Sequence, residues 1–473
     1  MKSFINIFEK ALFFSTLFIF AFIPLYPKFP LLNITGTFVA IRLEDVLIAT
    51  VIGTWGIYLS LTGQLKVFFK DRLNQSLVLF FLIGLLSIFS ANFVTHSASA
   101  NLSLLHWARR VEFMLLLPVV ASVVRNRRQL MTVLISLALV LLVVNIYALG
   151  QQYLKWPVIS TTNSEFSKGL ILYLTPGARV NSTFAGHYDL AVFLAMAVVL
   201  LSSIFFAFRN IFIKTLVGFL SIISFWVLIM TAARLSFVAA VFGILATLIL
   251  LGKKKFILIF FLIIVLVLSY PSQLRDRLIS TVTVNILNMG QRYEGQTEDQ
   301  KIRNKLNIPT VAIKTSSKSA DAAFFAAASS GSASDIAPGE PLDTTQLGVY
   351  RSFEIRLNVE WPRAINAFLK NPLLGTGYSS IDIATDNDFL RSFGEIGLLG
   401  TCAFGLVLIE SMKRIYITFK KSDKFIKAFS AGIFAMILAF LLNGFFIDVF
   451  EASKVASLFW MMLGLGLATS KFR

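Results

Sequence analysis

Asn371-Pro372-Leu373-Leu374-Gly375-Thr376-Gly377-Tyr378, then Asp386-Asn387-Asp388-Phe389-Leu390-Arg391 and Gly394-Glu395-Ile396-Gly397-Leu398-Leu399-Gly400, is the stretch on which the fold turns. Asn-Pro followed by Gly-x-Gly ends a helix and forces a turn, because proline removes a donor and glycine supplies positive φ. An arginine-rich approach (Arg351, Arg356, Arg363) leads into it, and a long apolar helix follows it. Ionisable groups gathered at the mouth of an apolar helix are costly to keep there and read as functional.

Working outward, the whole chain is apolar. Its 473 residues are 56% hydrophobic and only 14% charged, which defines an all-α polytopic membrane protein. The net charge of +18 sits mostly in short loops beside apolar runs, where it sets topology and meets anionic membrane lipid, so nucleic acid is not a partner. The single cysteine, Cys402, lies inside an apolar run and forms no intrachain disulfide. The N-terminal run from Ala11 follows Lys2 and Lys10 without a small-residue cleavage site, and reads as an uncleaved first helix.

About twelve runs suit a tilted transmembrane helix: residues 11–26, 43–62, 76–95, 111–124, 130–150, 187–207, 213–231, 235–251, 256–270, 388–409, 426–446 and 452–469. The fourth and ninth are short. Loop charge alternates: Lys66 to Arg72, Arg125 to Arg128, Arg209 to Lys214, Lys253 to Lys255 and Lys413 to Lys427 form the basic set. The positive-inside rule places that set and both termini in the cytoplasm, in the cytoplasmic (inner) membrane. The chain then divides into spans one to five (1–150), an outer loop (151–186), spans six to nine (187–270), one large outer loop between spans nine and ten (271–387), and the last three spans (388–473). Within the large loop, residues 315–345 are rich in Ala, Ser, Gly and Pro, a composition that predicts a flexible insert. Spans seven and eight are interrupted only at Thr231-Ala232-Ala233-Arg234, which predicts a tight hairpin with an arginine at its tip.

Cations therefore collect on the outer side at Arg179, Arg234, Arg351, Arg356 and Arg391. Arginine clamps phosphate oxygens at two points, and several together suit a diphosphate leaving group whose charge grows as its bond breaks. Any one of them serves equally well as a partner for Glu354, Glu360 or Asp386. Asp388 fits the cap of span ten, leaving Asp386 as the candidate general base, while Glu395 pairs with an arginine or supports the site. His187 beside Arg179 reads as a structural hydrogen-bonder. No metal-ligand spacing, phosphate-binding loop or dinucleotide fingerprint occurs, so neither metal nor cofactor is expected.

The order of these motifs resembles the O-antigen ligase and polymerase family of bacterial membrane glycosyltransferases. The likeness runs over residues 175–465: a Thr-Phe entry to a mid-chain span, an arginine-tipped hairpin, Arg-(x)4-Trp in the large loop, Asn-Pro-Leu-Leu-Gly-x-Gly, and x-Asn-x-Phe-Leu-(x)4-Glu-x-Gly-Leu-Leu-Gly. The resemblance implies a GT-C-like helical bundle. Such an enzyme takes a glycan from an undecaprenyl-diphosphate donor on the outer face and transfers it, without metal and with inversion, to a saccharide or lipid-linked saccharide acceptor. It also implies that Arg179, Arg234 and Arg356 bind the diphosphate, with Arg391, Asn387 and Glu395 completing the substrate site. Ligases carry histidine before the asparagine of the last motif. This chain has Asp386 there, which favours a polymerase over a ligase. A flippase for lipid-linked oligosaccharides suits the span count as well, but transporters commonly show matched halves and midplane polar residues, and this sequence shows neither.

Overall fold

The computed structural model describes residues 2–27, 29–33, 40–158, 173–174, 178–282, 355–381 and 385–472. The insert at 315–345 and Arg351 lie outside the described residues. One helix covers each of the twelve apolar runs: α1 (Lys2–Leu25), α2 (Leu43–Leu61), α4 (Arg72–Phe93), α5 (Ala100–Val123), α6 (Arg127–Tyr153), α7 (His187–Phe205), α8 (Ile211–Met230), α9 (Arg234–Leu250), α10 (Lys254–Ser269), α13 (Asp388–Lys421), α14 (Lys424–Asn443) and α15 (Ser453–Ala468). Short helices α3 (Leu65–Lys70), α11 (Gln273–Val282) and α12 (Trp361–Lys370) lie between them. A two-stranded antiparallel hairpin, β1 (Pro30–Asn33) and β2 (Ala40–Arg42), precedes α2.

Among the described residues eight helices are long and apolar enough to cross a membrane, or nine if α10 and α11, bent by 94° at their junction, form one span. The difference from twelve has physical causes. Helix α5 carries His106, Arg109, Arg110 and Glu112 within its first 13 residues, and α9 and α15 have 17 and 16 residues. The chain is an all-α, multi-pass membrane protein.

Helices α7 and α14 form the centre, and α15 is buried along its entire length. Aromatic rings fill the space between them, with Phe440 stacked on Phe459 at 4.0 Å and Phe450 set edge-on against Phe459. Large apolar side chains on α8 and α10 face outward, as lipid contact requires. The two ends of the bundle are sorted. Basic loops meet at one end, through Arg414–Asp71 at 2.8 Å and Arg125–Glu9 at 2.6 Å. The other end gathers the remaining loops, with the Ser97 hydroxyl donating to the Thr376 carbonyl and Thr183 to that of Pro24, both at 2.7 Å.

Candidate active site

The Asn371–Tyr378 loop is laid into a break in α13. At Gly397 the helix leaves helical geometry (φ 66°, ψ −169°), which frees carbonyls above the break and N–H groups below it. The loop takes both. Thr376 and Gly377 donate to the Gly394 and Glu395 carbonyls at 2.9 and 2.8 Å, and Leu398 and Leu399 donate to those of Pro372 and Leu373 at 2.8 and 3.1 Å. Irregular backbone at such a depth survives only where protein satisfies it. Side chains of α4 pin the insertion: Ser87 donates to the Glu395 carbonyl, and Asn371 to Ser90, each at 2.9 Å. Glycine is obligatory at two contacts. A Cβ at Gly375 would stand 2.4 Å from the Glu395 backbone, and one at Gly397 would stand 2.5 Å from that of Leu373, both at positive φ. Gly397→Ala is therefore expected to destabilise the protein by at least about 2 kcal/mol, read as a lowered Tm in detergent, whereas Gly405→Ala, which meets open space, is expected to be neutral.

The insertion carries the polar segment to the start of α13. Asn387, not Asp388, caps this helix, its side chain accepting from Phe389 and Leu390 at 3.1 and 2.9 Å. The cap expected at Asp388 is thus corrected. That carboxylate turns instead to the loop between α14 and α15 and accepts from Val449 at 2.9 Å and Phe450 at 3.2 Å. The asparagine one residue earlier has the extended backbone of a cap, whereas Asp388 is already helical and its side chain is directed to the Val449 and Phe450 N–H groups.

Two networks follow. In the first, Arg391 is held by Asp448 at 3.0 Å and Glu395 at 3.2 Å, with Glu451 at 3.9 Å. Arg110 from α5 also pairs with Glu451. Burial pushes the Glu451 carboxyl up, but Arg110 and Arg391 outweigh it and hold it at about 2. Asp448 further accepts from the backbone N–H groups of Thr385 and Asn387, at 2.8 and 3.1 Å. This network fixes the backbone on both sides of Asp386. The Tyr378 hydroxyl, without a hydrogen-bond partner, borders a cavity of about 20 Å³ beside Arg110, Asp388 and Glu395, room for roughly one water.

The second network faces the loops. Asp386, at φ 48°, receives Nε and Nη2 of Arg356 on one carboxylate oxygen, at 3.0 and 2.7 Å. Its side chain keeps 31% exposure, so the carboxylate is reachable. Burial raises its pKa, Arg356 opposes the shift and Asp448 adds to it. Arg356 begins a π-helical turn, Arg356–Glu360, of the kind that recurs at functional sites. The wider turn brings Glu360 to the same place. Its carboxyl is pushed up to about 8 by burial and by Asp386, against the pull of Arg356. The hairpin between α8 and α9 is as tight as its sequence requires, and Arg234 at its end donates to Thr281 of α11. Arg234 lies within electrostatic reach of Arg356, Arg179 and Tyr188. Arg179 contacts His187 Nε2 at the start of α7, whose buried Nδ1 has no hydrogen-bond partner.

The structure therefore gathers Arg179, Arg234, Arg356 and Asp386 around the first turn of α7, and sets Arg391, Glu395 and Asn387 in the supporting network beneath. Sequence reasoning missed Asp448, Glu451, Arg110 and Tyr188. The acids were visible as the polar interruption Asp448-Val449-Phe450-Glu451 between the last two apolar runs. Among the described residues no group of His, Cys, Asp and Glu has the arrangement of a metal site.

Residues 219–405 match the model of a known family, described as O-antigen ligase, and this match supports membership of the chain in that family. The matched segment contains Arg234, Arg356, Asp386 and the inserted loop, while Arg179, His187, Asp448 and Glu451 lie outside it. No curated protein matches the chain.

Proposed function

We propose that the protein is an O-antigen-ligase-type membrane glycosyltransferase that moves a glycan from undecaprenyl diphosphate to a saccharide or lipid-linked saccharide on the outer face of the cytoplasmic membrane, with both termini inside. The observation that carries this reading is the convergence of Arg179, Arg234 and Arg356, from three distant segments, beside one reachable carboxylate. In the reaction the acceptor hydroxyl oxygen attacks the anomeric carbon as the bond from that carbon to the phosphate oxygen breaks. The electron pair leaves on the diphosphate, the hydroxyl proton passes to Asp386, and the anomeric configuration inverts. The guanidiniums supply the positive charge that the departing diphosphate needs, so the step is written without a metal.

Arg356 grips Asp386, and a carboxylate held by two guanidinium N–H groups is a weak base. Diphosphate competes for the same guanidinium, so donor binding frees the base it needs. Glu360 sets the upper pH limit. Below about 8 it is neutral and leaves Arg356 to the donor; above that it ionises and repels the diphosphate. Donor affinity is accordingly expected to fall as pH rises through 8, and Glu360→Gln, which keeps the neutral shape, is expected to remove that fall while leaving binding at pH 7 unchanged. Titrating donor affinity from pH 6 to 9.5 checks both.

Sidedness is testable alone. In a Cys402→Ala background, a cysteine at exposed Tyr153 is expected to react with an impermeant maleimide in intact cells, and one at exposed Lys254 only after lysis. The function itself is tested in proteoliposomes with a polyprenyl-diphosphate glycan as donor. Lengthened or newly conjugated glycan supports transfer, while donor that crosses the bilayer unchanged assigns the protein to flipping.

A further inference from the structure

On the far side of the first turn of α7 lies a second set of charges that the transfer step does not use. Arg42 ends β2, Glu44 and Asp45 open α2, and Arg109 and Glu112 face them from α5. Asp189, two residues after His187, is within electrostatic reach of Arg42, so this cluster and the arginine cluster share one helix start.

Its bonding is incomplete in a consistent way. Arg42 Nε, Arg109 Nε, Glu44 Oε2, Asp45 Oδ1 and Glu112 Oε1 are all shut off from solvent and have no hydrogen-bond partner, and Glu44 is only 2% exposed. Of the two ion pairs, Arg109–Asp45 is open at 3.9 Å, beyond hydrogen bonding, while Arg42–Glu44, at the same distance, is bridged by the Ser453 hydroxyl, which accepts from Arg42 at 3.2 Å and donates to Glu44 at 3.1 Å. Ion pairs that merely join helices in this molecule are closed, at 2.6–3.1 Å on the basic face. A gap of this size between opposite charges is the span that one inserted oxygen bridges.

The geometry points to a saccharide subsite here, in which glycan hydroxyls bridge the open Arg109–Asp45 pair and meet the unpartnered polar atoms of Arg42, Glu44 and Glu112, as the Ser453 hydroxyl already does between Arg42 and Glu44. Two guanidinium N–H donors and the unpartnered oxygens of three acids match hydroxyls, which donate and accept at once. A phosphate does not match, since the carboxylates of Glu44, Asp45 and Asp189 already outnumber the two arginines. The start of α7 then separates an anion-binding side from a polyol-binding side, as a transfer between a diphosphate and a sugar requires. This inference rests on the proposed glycosyl transfer for the identity of the glycan, which belongs either to the donor or to the acceptor.

The test uses the full-length protein in nanodiscs and two probes: the oligosaccharide released by mild acid from the lipid-linked donor of the producing cells, and inorganic diphosphate. Arg109→Lys keeps the charge and removes the open Nε–H, and Asp45→Asn keeps the shape and removes the charge that faces Arg109 across the open gap. Each is expected to weaken oligosaccharide binding at least tenfold, with diphosphate binding within twofold of wild type and an unchanged Tm. Glu44→Gln serves if either variant fails to fold. In the transfer assay, a raised KM for the acceptor assigns the subsite to the acceptor, and one for the donor assigns it to the donor glycan; either supports the proposal. Oligosaccharide binding that is absent in wild type, unchanged in the variants, or lost together with diphosphate binding overturns it, the last two marking water-bridged structural pairs. Binding is read without turnover, so a protein that transfers nothing refutes the proposed function and leaves this result standing.

Discussion

Asp386→Asn is expected to lose at least a hundredfold in single-turnover transfer while binding the donor as tightly as wild type or tighter. General-base catalysis contributes about 10²–10⁴ in rate, and asparagine cannot take the acceptor's proton. Donor affinity moves the other way because the variant no longer draws Arg356 away from the diphosphate with a full charge. A structural defect would not produce this split, since Asp386 holds no backbone turn of its own; Asn387 and Asp448 do that. Transfer at the wild-type rate by Asp386→Asn would remove it as the base.

Arg234→Lys and Arg356→Lys are each expected to reduce kcat about a hundredfold, equivalent to losing about 3 kcal/mol of stabilisation of the developing diphosphate charge. Lysine keeps the charge but loses the planar, two-point grip. The two variants should differ in one respect. Arg356→Lys weakens the hold on Asp386, so its pH–rate profile should shift toward higher pH, because burial and Asp448 then act on the carboxyl with less opposition. Arg234→Lys leaves that pair intact and should keep the wild-type profile. Arg391→Lys belongs to another class: its partners are Glu395, Asp448 and Glu451, so it should lower Tm before it changes diphosphate binding.

The elements were legible because a membrane leaves a chain few choices: each apolar run became part of a helix, although α1 and α5 start 9 and 11 residues earlier, and α13 ends 12 residues later, than the runs 11–26, 111–124 and 388–409. Helix α5 was read short because its charged first half looks like loop, and the pairing of Arg110 with Glu451 that makes it tolerable involves residues 341 apart. The Gly/Pro turn was read from local chemistry, yet its insertion into α13 was not. Gly397 sits in an apolar pattern that continues on both sides, and nothing local says that a loop will claim the carbonyls above it. The exchange of roles between Asn387 and Asp388 was hidden for a related reason: both residues cap helices well, and the deciding partners, Val449 and Phe450, come from the far end of the chain.

The broken helix also bears on how the protein is made. While α13 enters the bilayer before α4 and the loop have closed around it, a break at Gly397 would leave carbonyls and N–H groups facing lipid with nothing to bond. The cheaper form of the nascent segment is one straight helix. The hydrogen bonds that satisfy the break come from the Asn371–Tyr378 loop and from Ser87 of α4, so the break is satisfied only in the assembled bundle. The polar site and the middle of the span therefore depend on the same hydrogen bonds, so a substitution that loosens the loop also leaves the backbone of α13 unsatisfied at that level.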